Sequence, residues 1–173
     1  MASPQTVVVK NKPDKRTNAI VKAGLIAGTL DILTALVMFF IKTHKDPMIV
    51  FQYIASAAFG KVAYTGGAGF IIAGLLFHYI IAFSFTILYF FLYPRIRFMQ
   101  NNPLLAGLLY GIFVWLIMNE VVLPLTRLAP IAFNLQSAIT GTIVLMLAIG
   151  LPVSLITHNY YSRNSRMIEN DVV

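Results

Sequence analysis

Four long apolar stretches, separated by short polar ones, organise this chain: residues 19–41, 68–93, 104–125 and 135–157. Each is long enough to cross a bilayer as a helix, which takes roughly 20 residues. Lipid offers no partner for backbone N–H and C=O groups, so an immersed segment must bond internally, as a helix does. None of the four sustains an apolar–polar alternation, and the chain is short for a large barrel, so a strand reading fails. The pattern predicts an all-α integral membrane protein. A four-transmembrane-helix bundle fills residues 19–160, with polar tails at 1–18 and 161–173. The first stretch reads as a retained span, because it is longer than a signal core and ends in "MFFIKTHK" rather than in small residues.

Between the first two spans lies "PMIVFQYIASAAFGKVA", residues 47–63, too short in its apolar part to span. It predicts a short helix that is either interfacial, lying at the outer surface, or re-entrant, dipping between spans with its terminus at a cavity. At helical spacing Val50, Ile54, Ala57 and Ala58 share one face. "YTGGAG", 64–69, then supplies the turn into the second span.

Composition sharpens this picture. The chain is 58% hydrophobic and 11% charged, with a mean hydropathy of +0.79; soluble domains are about half apolar and one quarter charged. The core of one 173-residue domain cannot hide that excess, so the bilayer is the first partner. There are no cysteines, which excludes disulfides, thiolate metal sites and cysteine nucleophiles. The net charge of +7 does not imply nucleic acid, because the basic residues gather at the ends of the apolar stretches. Nine of them (Lys10, Lys12, Lys15, Arg16, Lys22, Arg95, Arg97, Arg163 and Arg166) fall on the side of both tails. Four (Lys42, Lys45, Lys61 and Arg127) fall on the other. The positive-inside rule therefore puts both termini in the cytoplasm.

The polar residues inside the spans are few enough to be read one by one. Asp31 sits in "GTLDILTA", on a strip with Gly24, Gly28 and Ala35, small residues that let another helix approach closely. A carboxylate at mid-bilayer costs at least ~2.5–3.5 kcal/mol, so it belongs on a packing face with a partner or a function. In the second span Gly67, Ile71, Gly74, His78 and Ala82 line one face, and His78 falls at about the depth of Asp31. The two can meet between the first two helices and share a proton. The third span presents Gly107, Gly111, Trp115 and Asn119 on one face, with Glu120 beside it near the outer end. There Glu120 either pairs with Arg127 or Lys61 or joins an internal polar chain. In the fourth, Ser137, Gly141 and Ala148 form a small face, Pro152 predicts a kink, and His158 ends the span as an interface residue. "AGLIAG", 23–28, and "AGLLYG", 106–111, hint at a repeat of two parallel two-helix halves, with Pro47 and Pro130 at matching places.

Two or three candidate ligands (Asp31, His78 and Glu120) fall short of a metal site. No phosphate-binding loop, nucleophile elbow or HExxH is present, so neither a cofactor nor a catalytic set is expected.

"KAGLIAGTLDILTA", "QYIASAAFGKVAYTGG", "GLLFHYIIAFSFT" and "GLLYGIFVWLIMN" together resemble the YagU-like family of small bacterial inner-membrane proteins, over about residues 19–160. The resemblance implies a four-helix protein of the bacterial inner membrane, places the family's glycine–aspartate and glycine–histidine motifs on Gly24, Gly28, Asp31, Gly74 and His78, and supplies no substrate. The expectation is a small transport or proton/ion-handling protein built on Asp31, His78, Asn119 and Glu120, which acts on a small ion or solute. Gly24, Gly28, Gly74, Gly107, Gly111 and Gly141 serve packing, and so much small-residue surface predicts a homo-oligomer. The alternative is a membrane scaffold or accessory subunit in which the polar residues only hold helices together. An enzyme acting on lipid or quinone is the remotest option, since too few groups converge.

Overall fold

The computed structural model of the chain describes residues 15–127 and 134–170. Pro130 and most of the N-terminal tail lie outside the described residues. The order is α1 (Lys15–Thr43), α2 (Ile49–Phe59), α3 (Ala68–Leu92), α4 (Arg97–Asn101), α5 (Pro103–Leu116), α6 (Leu135–Leu145) and α7 (Leu151–Asn170). Four continuous helical rods, Lys15–Thr43, Ala68–Arg95, Pro103–Leu125 and Leu135–Arg163, are long and apolar enough to cross a membrane. No strand occurs among the described residues, and the architecture is an all-α four-helix bundle. Two boundaries differ from the sequence pattern: α1 starts at Lys15, four residues early, and α7 runs on to Asn170 through the segment read as a tail. Hydropathy marks where apolar residues stop, whereas backbone bonding continues into water for as long as helix-compatible residues follow.

The bundle is apolar on its outside. Leu30, Leu33, Val37, Phe40 and Ile41 on α1, and Ile72, Leu76 and Ile80 on α3, are all exposed. A water-soluble helix puts polar residues there; a lipid-facing one has no reason to.

Local chemistry sets the turn into α2. His44 has φ +54°, a left-handed residue that ends α1, and the Asp46 carboxylate accepts from the Met48 N–H at 2.9 Å to start the next helix. Gly60 and Gly67, with φ of +71° and +69°, bracket the 3₁₀ turn Gly60–Tyr64 in a conformation open to glycine almost alone. Asn134 caps α6 by accepting from the Ser137 N–H at 2.9 Å.

Helix contacts run through small residues. Gly24 and Gly28 of α1 lie against the Phe83 and Tyr79 rings of α3. Gly74 of α3 lies on the Phe51 carbonyl of α2, Gly107 and Gly150 face one another's carbonyls, and Gly111 meets the Met146 backbone. Gly141 lies against the Trp115 indole. The two "AG" motifs thus occupy the packing faces of two helical hairpins, the first against rings and the second against backbone.

The bundle's two ends differ. At the end where α1 begins, the core is tight and rich in tyrosine: Tyr89, Phe90, Val153 and Thr157 are almost completely buried. The Tyr89 hydroxyl donates to Ser154 Oγ at 2.7 Å, which donates to the Pro103 carbonyl at 2.6 Å. Tyr110 donates to the Phe85 carbonyl at 2.6 Å, and Tyr93 and His158 Nδ1 are joined at 2.8 Å. Buried hydroxyls away from water need such partners, and here each has one. At the other end α2 packs against the bundle, held by Phe59 against Phe70 and Phe77 and by the Arg127 N–H donating to the Ala57 carbonyl at 3.1 Å.

Candidate functional site

Under α2 the spans enclose a partly open cavity of about 510 Å³, reaching from mid-bundle towards the α2 end. Asp31 arrives from α1 and His78 from α3, each within three residues of its helix midpoint, on the faces that also carry Gly28 and Gly74. Asn119 enters from the third span and Tyr53 from α2. The rest of the wall is mostly aliphatic and aromatic, with Ile54, Ala57, Phe77, Phe85 and Ile149 among its residues.

Asp31 and His78 interact electrostatically across the α1–α3 interface, but neither a hydrogen bond nor an ion pair joins them. His78 instead bonds through Nε2 to the Gly28 carbonyl at 2.8 Å. A carbonyl can only accept, so Nε2 carries a proton and donates it to this bond. The missing side chain of Gly28 makes room for the Tyr79 ring and Ala82 of α3 beside this bond. No side-chain hydrogen bond reaches the Asp31 carboxylate among the described residues. It is half-buried and faces the cavity.

Asn119 and Glu120 part company. Asn119 donates through Nδ2 to the Trp115 carbonyl at 2.8 Å and faces Asp31's cavity. Glu120 is exposed and faces a shallow groove on the far side of the span, with Trp115, Ile139 and Thr142. Its predicted pairing with Arg127 or Lys61 is not among the ion pairs of the described residues. The physical reason is a π turn, Ile117–Val122. The wider turn carries an extra residue and shifts the faces beyond it, so Asn119 and Trp115, four apart, no longer share one. A second π turn, Met146–Gly150, lies in the fourth span and brings Ile149 to the cavity wall.

Sequence patterns at 3.6 residues per turn did not show these turns. The signal that could have found them is proline. Pro124 and Pro152 each follow a π turn by two residues, and a proline ring crowds the carbonyl four residues back, here Glu120 and Ala148. A widened turn moves that carbonyl aside without breaking the helix. Tyr53 joins the site through α2, and nothing in its spacing along the chain marks it. Burial, and then neighbouring Tyr64, push its phenol above the ordinary 10.0, so it is a neutral hydroxyl at physiological pH. His158 lies in the tyrosine cluster, away from the cavity.

Comparison of the chain with known protein families, with characterised proteins and with solved structures found no match.

Proposed function

We propose that this protein is a small carrier of the bacterial cytoplasmic membrane that moves a proton or small solute through the cavity at Asp31 and His78. The observation that carries the reading is a carboxylate with no hydrogen-bond donor among the described residues, placed mid-bundle on a cavity large enough for a solute. Intramembrane carboxylates of this kind are costly and mark pathways, and binding sites near the midplane are the rule in secondary transporters. With both termini in the cytoplasm, the tyrosine-packed end is the cytoplasmic one and the cavity lies in the outer half. The resemblance to the YagU-like family supports the bacterial inner-membrane placement.

The test is flux. Wild-type protein in liposomes carrying an internal pH dye is expected to dissipate an imposed proton gradient faster than empty liposomes do. Asp31→Asn, still monodisperse, is expected to be no faster than empty liposomes. Wild-type and variant traces that coincide would remove the proton-carrying form of the proposal.

One observation favours the scaffold reading. The His78 Nε2 bond to Gly28 joins α1 to α3 and serves helix packing outright. Under that reading His78→Ala lowers the melting temperature and dissolves any homo-oligomer, and flux is absent throughout. Size measured by light scattering, with and without His78, separates the two.

A further inference from the structure

The hydrogen-bonding inventory of the cavity wall is one-sided. Asn119 spends an N–H on the Trp115 carbonyl, and Thr126 spends its hydroxyl on the Leu123 carbonyl at 2.7 Å. His78 spends its Nε2–H on Gly28. The remaining capacity is mostly that of acceptors: both Asp31 carboxylate oxygens and the Asn119 amide oxygen, against the one unspent N–H of Asn119. Tyr53, a neutral hydroxyl, serves in either role. Around these acceptors the wall is apolar, and the space is that of an organic molecule, within the 300–1,000 Å³ range of about drug-sized sites. A bare metal ion or proton needs no such volume and gains nothing from the apolar wall. An anion would meet a carboxylate and few donors.

We propose that the cavity's ligand is a lipophilic amine, an apolar body bearing one ammonium group, with the ammonium on Asp31 and the body against Phe77, Phe85 and Ile149. This names the substrate class for the carrier reading above and rests on that reading's site. An ammonium has donors only, so it complements the acceptors at once, and its charge neutralises the carboxylate where lipid cannot.

The experiment uses the full-length protein in nanodiscs and three naphthalene probes of one shape: 1-naphthylmethylamine, 1-naphthylmethanol and 1-naphthoate. Empty nanodiscs correct for partitioning. The amine is expected to bind the wild type about tenfold to a hundredfold more tightly than the alcohol, as a charge-assisted bond allows. The carboxylate is expected to bind weakest. Asp31→Asn is expected to erase the preference for the amine and leave the alcohol's affinity in place. Ala57→Phe, which fills the cavity, is expected to lose both. Equal affinity of wild type for amine and alcohol, tighter binding of the carboxylate, or full binding by Ala57→Phe would each overturn the assignment. Should Asp31→Asn fail to fold, the amine-to-alcohol ratio of the wild type decides alone. Amine binding without Asp31-dependent flux of either protons or the amine keeps the ligand and ends the carrier reading; flux without amine binding does the reverse.

Discussion

Asp31 and Gly74 carry opposite constraints within one interface region. The Asp31 carboxylate has no hydrogen bond to lose among the described residues, so its removal leaves no orphaned donor behind. Asp31→Asn is therefore expected to keep or raise the midpoint of SDS-induced unfolding, and a large fall would show that the carboxylate binds helices together. At Gly74 a Cβ would run into the Phe51 carbonyl, which is backbone and cannot rotate away. Gly74→Ala is expected to cost about 1–3 kcal/mol in the same titration and to loosen α2. Ser154 is a third case. It is fully buried and accepts from Tyr89, which is also fully buried. Ser154→Ala strands that hydroxyl and is expected to cost about 1–3 kcal/mol, most of it recovered in the double variant with Tyr89→Phe. Residue types at these places could be picked out from the chain, since glycine, aspartate and histidine are conspicuous in apolar runs. The pairing of His78 with a carbonyl rather than with Asp31 could not, because any backbone oxygen within reach competes and only coordinates say which one is near.

The elements follow from periodicity with two exceptions, the π turns, and these decide the site. A regular third span would carry Asn119 round with Trp115; the turn at Ile117–Val122 separates them and leaves Asn119 in the cavity and Glu120 outside it. In α2, Phe51 packs on Gly74, about two turns inside the start of α3, and Tyr53, Ile54 and Ala57 line the cavity. The α1–α2 link holds a strained residue in His44, and His44→Gly is expected to stabilise the protein by roughly 0.5–1 kcal/mol by removing the left-handed penalty. Tyr53 adds an alkaline limit. Its folded-state pKa is raised, so the folded form holds the proton more firmly than the unfolded chain does. That contribution is complete below the unfolded value of 10.0 and is lost as pH rises through the folded one. Thermal melts are expected to fall more steeply above pH 10.0 for the wild type than for Tyr53→Phe.

The bundle as a body is packed at one end and hollow at the other. Tyrosines, bonded to Ser154, His158 and backbone carbonyls, close the end where α1 begins. The positive-inside rule predicts that this sealed end faces the cytoplasm, which labelling tests. The chain has no cysteines, so single cysteines report sidedness cleanly. Lys45→Cys in intact spheroplasts is expected to react with a membrane-impermeant maleimide, and Arg97→Cys only after permeabilisation. The opposite labelling would invert the topology and place the cavity in the inner half.

Four spans, their helical character and their apolar exteriors were written in the order of residues, because burying backbone polar groups in lipid admits few solutions and hydropathy reports which segments must solve that problem. That Asp31 and His78 lie at similar depth was equally a matter of counting. Which helices touch, where two turns widen, how a short helix roofs a cavity and which carbonyl receives His78 were settled by packing. These depend on contacts such as Gly74 on Phe51 and Gly107 on Gly150, between residues tens of positions apart. Periodicity along one helix carries no information about the partner on the other side of the interface.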